Sequence, residues 1–237
     1  MTEMEYRQPG LNGVLEDCLF LQNFPSIATA HALNPQPGSA VLDMCAAPGG
    51  KTTHLAALMR DSGHLLAFDK NARKVGKIRE NCTRLGVSAC VEVNMGDSSR
   101  IHFQEAFDYI LLDPPCSALG QRPNLRPEST NIANLPSFPR YQQELFQAAW
   151  RALKVGGCLV YSTCTVNPGE NELMVEHVLR TNSNARLLPL RQELALAEYC
   201  RPGLLLNTLT VQECECMCRF WPSEGEGEDT IGFFISK

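Results

Sequence analysis

The strongest constraint on this chain is a recurring alternation: a short apolar run, a stretch of helical pattern, then another apolar run. Residues 39–44, 63–68, 90–93, 107–112 and 157–162 read as buried strands. Residues 51–60, 71–85 and 141–153 carry helix-like spacing between them. Strands separated by helices make βαβ units, and such units build a parallel sheet covered on both faces. No repeat at solenoid or propeller period competes with this reading. Two regions break the rhythm. Residues 114–139 are Pro-rich and without helical period, and long loops of this kind are usually functional. Residues 216–221 and 231–235 read as two strands joined by the acidic run 224–229, a solvated hairpin loop.

Composition narrows the classes. The 237 residues are 44% hydrophobic, enough for one sizeable core, with formal charge -5 and pI about 5.6. A nucleic-acid partner would therefore be held by a local patch or by shape, because binding by charge alone calls for a basic chain. Residues 18–42 carry no Lys, Arg, Asp or Glu. Gln22, Asn23, Asn34, Pro35 and Pro37 nevertheless interrupt them, which argues against a membrane span. Eleven Cys, and an N-terminus without a basic-then-apolar layout, fit a reducing, cytoplasmic setting.

The turn after the first strand is Cys45, Ala46, Ala47, Pro48, Gly49, Gly50, Lys51. At that edge of a doubly wound sheet, glycines let a cofactor approach the backbone. No Gly-x-Gly-x-x-Gly exists here, and a phosphate loop ending in Gly50-Lys51-Thr52 would need glycine where Cys45 stands. Asp69, about twenty residues on, ends the second strand, where a carboxylate takes ribose hydroxyls. Asp97, after the third, is placed to face an adenine edge. A nucleoside cofactor without a pyrophosphate points to S-adenosylmethionine.

Two thiols emerge at the same edge: Cys116 in Asp113-Pro-Pro-Cys-Ser, and Cys164 in Ser-Thr-Cys-Thr. Paired thiols beside a cofactor turn and an acid suit methylation of a pyrimidine carbon. A thiolate adding at C6 of cytosine makes C5 nucleophilic and leaves again by elimination. A carboxyl group at the N3/N4 edge stabilises the shifted charge, and a base removes the C5 proton. Motif logic alone leaves open which thiol attacks, since DNA cytosine-5 methyltransferases use a Pro-Cys thiol. An exocyclic-amino methyltransferase is a rival reading of Asp113-Pro-Pro, although that motif wants an aromatic where Cys116 stands.

The sequence resembles the Sun-domain (Fmu/Sun) family of RNA cytosine-5 methyltransferases. The segments carrying the resemblance are 20–26, 34–38, 45–52, 113–117, 161–165, 170–172 and 232–235; residues 34–38 and 120–124 are most like the subgroup acting at the tRNA acceptor end. The resemblance implies a class I, Rossmann-like α/β fold. It implies Cys164 as nucleophile, Cys116 assisting product release, Asp113 against the base, and Lys51 near cofactor and base. It also assigns residues 45–51, Asp69, Asp97 and Asp113 to S-adenosylmethionine, with RNA, specifically tRNA, as partner and no metal. Residues 1–19 then form a short leading segment and 20–237 the catalytic domain, while the family's N-terminal RNA-binding part is missing. A weakened or inactive cofactor-binding fold is the alternative that this absence motivates. The chain departs from the family at Pro114 and Ala118, where Ala and Gly are usual, and at Asn23, where an acid is expected.

Arg122, Arg126 and Arg140 flank the Cys116 loop as candidate phosphate contacts, with Phe24 and Phe138 as candidate stacking partners for an extruded base. Lys70, Arg73, Lys74, Lys77, Arg79 and Arg84 read as a solvated helix face. Cys214, Cys216 and Cys218 alternate as three strand residues sharing a face, but they lack the spacing of a zinc site and read as packed thiols. The five histidines carry no motif.

Overall fold

In a computed structural model, residues 17–121, 132–196, 198–206, 208–222 and 230–237 are described. Seven strands form one sheet in the order β3-β2-β1-β4-β5-β7-β6. They are β1 (Ala40–Asp43), β2 (His64–Asp69), β3 (Val91–Met95), β4 (Phe107–Leu112), β5 (Leu153–Thr163), β6 (Cys218–Phe220) and β7 (Phe233–Ser236). The first five are parallel; β7 runs antiparallel between β5 and β6. The closing antiparallel pair is the one expected, although strand residues begin at Cys218, and the acidic run 224–229 lies outside the described residues.

Period two explains why the strands read as unbroken apolar runs. Val41, Leu65, Leu111 and Val160 point into one buried layer, and their neighbours Leu42, Leu66, Ile110, Leu112 and Tyr161 into the other. Both faces are covered, so no polar alternation survives in the sequence. Helices α1 (Phe24–Leu33), α2 (Gly50–Leu58) and α3 (Ala72–Arg84) contribute to the first layer; α4 (Ser137–Ala152) and α5 (Glu172–Thr181) contribute to the second. Short helices α6 (Leu190–Glu193) and α7 (Val211–Glu215) precede the last strands.

Capping sets the helix starts. The side chain of Asn23 accepts the Ser26 N–H at 2.9 Å, so Asn performs the N-cap duty of the acid usual at that position. Asn71 does the same for α3. Helix α4 begins at Ser137, inside the stretch read as loop up to Pro139. A proline in the first turn removes only an N–H that has no intrahelical partner. Cys214 lies on α7, Cys216 caps it and Cys218 opens β6, so the three thiols share no strand face. Among the described residues, no group of three or more His, Cys, Asp or Glu could hold a metal ion, and no helix is long and apolar enough to cross a membrane.

Candidate active site

The carboxyl ends of β1, β2, β4 and β5 open onto one cavity of about 510 Å³. Its lining includes Cys45, Ala46, Ala47, Pro48, Gly50, Lys51, Asp69, Asp113, Cys116 and Cys164, which brings together most of the residues singled out from sequence. Gly49 sits behind them as the N-cap of α2, with φ of 104°, a conformation that excludes most side chains. Asp97 is not part of this lining. It caps a short turn, accepts Ser99 N–H at 3.1 Å, and takes the Tyr141 hydroxyl at 3.0 Å. Burial raises the Asp97 carboxyl, but these bonds and Lys70 outweigh it and leave the pKa low. A larger groove of about 1050 Å³ lies at the amino-terminal end of β5, without the paired thiols and carboxylates.

Cys116 and Cys164 place their sulfur atoms 3.3 Å apart. Each follows the end of a neighbouring strand, β4 or β5, whose register is fixed by the Leu112–Tyr161 pairing. Lys51 Nζ donates to Asp113 Oδ2 at 2.7 Å, and Ser162 Oγ donates to Asp113 Oδ1 at 2.9 Å. The acid is thereby pinned on both oxygens while retaining lone pairs for a further donor. The Lys51 ammonium also stands over the Phe233 ring, 5.4 Å from its centroid.

Three thiols line the cavity, and electrostatics separate them. Burial pushes Cys45 well above the ordinary thiol range, aided by Asp43, Asp113 and Asp69. The hydrogen bond from Cys116, with Lys51 adding its charge, holds Cys164 below its usual value against burial and Asp113. The same bond, with burial, raises Cys116. Of the pair, Cys164 is the thiol drawn toward the thiolate and Cys116 the one held protonated.

Several site features are absent from the sequence reading. Phe20 and Phe233 line the cavity, whereas Phe24 packs its ring against Phe220 and Tyr199, and Phe138 stands outside the lining. A Cβ on Gly50 would come within 2.7 Å of Phe20, the signal that an aromatic wall rests on this glycine. Lys74 lines the cavity. Arg79 donates to Val93 O and Arg84 to Leu19 O, so α3 is not simply a solvated face. Arg122 and Arg126 lie outside the described residues. Ala118 has φ of 55°, so the position where the family has glycine does require the left-handed region. An alanine there costs about 1–2 kcal/mol.

The cavity also suits an amino-acid nucleoside. Asp43 Oδ1 is buried without a hydrogen-bond partner, an acceptor available to a bound ammonium. Asp69 offers a carboxylate for ribose, and the uncapped N-terminus of α2 favours a carboxylate.

Sheet order, reversed last strand and site position together define the Rossmann-like fold of the class I S-adenosylmethionine-dependent methyltransferases. Residues 30–237 match the family model described as 16S rRNA methyltransferase RsmB/F, and the chain belongs to this family. The mouse tRNA (cytosine(72)-C(5))-methyltransferase NSUN6 is 38% identical, matching 100% of this chain and 56% of its own length. The crystal structure of NSun6 from Pyrococcus horikoshii with SFG superposes with a TM-score of 0.77 at 33% identity, over 97% of this chain and 56% of that one. A methyltransferase homolog protein from Pyrococcus horikoshii gives 0.79 at 33%, over 97% and 71%. The chain thus spans a little over half the length of the NSUN6 relative.

Proposed function

We propose that this chain methylates C5 of a cytosine in RNA, with a tRNA acceptor end as substrate, using S-adenosylmethionine. Bound in the cavity, that cofactor supplies an electrophilic methyl group on a sulfonium centre. Residues 45–51, Asp69 and Asp113 would hold it, with Asp97 contributing at the adenine end. The Cys164 thiolate adds to C6 of an extruded cytosine, and electron density moves to C5, which takes the methyl group. Asp113, fixed by Lys51 and Ser162, receives the N4–H of the base and orients it, while the Lys51 ammonium offsets the negative charge that builds on the ring. Water in the cavity takes the C5 proton, the C5–H electrons restore the C5–C6 double bond, and Cys164 leaves as a thiolate stabilised by the Cys116 thiol 3.3 Å away. The names of the relatives, which act on tRNA and rRNA, support the substrate class. Such chemistry needs reduced thiols, as the cytoplasm provides.

The thiol pair sharing a cavity with the glycine turn and the Lys51–Asp113 pair carries the reading. Its test is a tRNA transcript containing 5-fluorocytidine, which cannot lose its C5 substituent as a proton. Wild type should accumulate a covalent complex mapped to Cys164 by mass spectrometry. With ordinary tRNA and labelled methyl donor, Cys164→Ser should lose at least ~1000-fold in rate. A Cys164→Ser protein that transfers label as wild type does would sink the mechanism.

A further inference from the structure

Glu170 is completely buried at the turn after β5, and no cation neutralises it in the described contacts. Its carboxylate instead receives four neutral donors. Ser117 N–H and Gln142 Nε2 donate to Oε2 at 3.0 and 2.9 Å. Ser117 Oγ and Asn167 Nδ2 donate to Oε1 at 2.5 and 2.9 Å. Burying a carboxylate is costly, and only a full set of hydrogen bonds makes it tolerable. The requirement is specific. Two acceptor oxygens with four lone-pair sites match four donors, whereas glutamine would present one oxygen and an NH2 facing two donors.

The donors are placed meaningfully. Ser117 directly follows Cys116, and its hydroxyl also meets Thr165 Oγ1, which directly follows Cys164, at 2.8 Å. Gln142 from α4 holds Pro115 O at 3.1 Å as well as Glu170. Tyr161 on β5 donates to the Glu170 carbonyl at 2.7 Å. Both thiol-bearing turns are thus tied to one carboxylate that touches neither sulfur.

We propose that Glu170 is a positioning residue: its carboxylate sets the separation of the Cys116 and Cys164 sulfur atoms by holding the turns that follow them. The functional weight of this clamp rests on the reading of the pair as catalytic thiols; the clamp itself does not. Released from it, the Cys116 turn drifts, and Cys164 loses its nearest hydrogen-bond donor. The remaining groups acting on Cys164, Asp113 and Lys51, stay in place, anchored by Ser162 and by each other.

The test compares the whole chain as wild type, Glu170→Gln and Ser117→Ala. Glutathione buffers poise the Cys116–Cys164 dithiol against its disulfide: two thiols lose two electrons and two protons, and one oxidised glutathione becomes two reduced. Peptide mapping reads the ratio, hence the effective concentration of one thiol at the other. Iodoacetamide alkylation of Cys164 as a function of pH reads its ionisation, which a purely structural role would leave unmoved. Both variants should lose at least tenfold in effective concentration, and the alkylation profile should move to higher pH. If both readouts stay within twofold of wild type in a folded variant, the clamp is refuted; should Glu170→Gln fail to fold, Ser117→Ala decides. Failure of wild type to trap 5-fluorocytidine RNA, with the thiol readouts still shifted in the variants, would overturn the methylation reading and leave the positioning role standing.

Discussion

Asp43 is fully buried, with one oxygen bonded to Thr52 at 2.7 Å and the other unpartnered. Burial lifts its carboxyl from 3.8 to about 7, with Asp113 adding; the bonds from Thr52 and Cys45 and the charge of Lys51 pull the other way. The folded state therefore binds this proton more tightly than the unfolded chain does. Stability from this group is complete below about pH 4, falls as pH rises, and is lost once pH passes about 7. The full difference corresponds to about 4 kcal/mol as an upper bound. Asp43→Asn, which can still accept from Thr52, should be the more stable protein at pH 8 and should show a flatter pH dependence between 4 and 7. Urea midpoints across that range check it, and an unchanged slope would mean that the proton sits elsewhere. The sequence marks Cys45, Lys51, Asp69, Asp113, Cys116 and Cys164 because each stands in a motif whose chemistry is local. Asp43 and Glu170 also stand in segments marked from sequence, but without a role. One ends the first strand and the other belongs to a segment carrying the family resemblance, and only burial and partner count give either a role.

Element positions followed from pattern wherever both faces of a strand are buried, and became blurred where capping or close approach decides. The βαβ series is legible because buried parallel strands leave continuous apolar runs. Helix α7 is not, because its five residues depend on a capping box between Thr210 and Glu213 rather than on period. Nor does the sequence disclose how the Cys116 loop docks. Gly120 N–H donates to the Cys164 carbonyl at 3.0 Å, and Gly120 O accepts from Gly232 N–H at 2.8 Å, so one residue joins the loop, the end of β5 and the approach to β7. A Cβ at Gly120 would stand 2.0 Å from the Gly232 carbonyl oxygen, which is backbone and cannot rotate away. Gly120→Ala should therefore cost about 3 kcal/mol. It should also slow methyl transfer beyond what the lost stability explains, because the segment displaced is the one following Cys116. Chemical denaturation together with single-turnover rates, measured well below the unfolding midpoint, separates the two effects. Wild-type stability in this variant would show that the loop approaches β7 less closely than the structure has it.

At the scale of the whole molecule, charge and proposed substrate pull in opposite directions. With 21 Lys and Arg against 26 Asp and Glu, the chain repels a polyanion at long range. On the proposed reading, affinity for RNA must then come from a few cations around the cavity. Lys74 lines the cavity, whereas Arg140 in the first turn of α4, 86% exposed and 4.0 Å from Glu144, does not. Arg73, exposed on α3, does not line it either. Each phosphate contact on a flexible strand contributes about -0.7 to the slope of log K against log salt concentration. Lys74→Gln should make that slope shallower by about 0.7 in filter binding to tRNA, while Arg73→Gln and Arg140→Gln leave it unchanged. An equal effect from all three would mean that binding follows net charge and not a path into the cavity. Since general attraction is weak here, a path-dependent slope would tie the RNA to the edge of the sheet where Cys164 and the glycine turn converge.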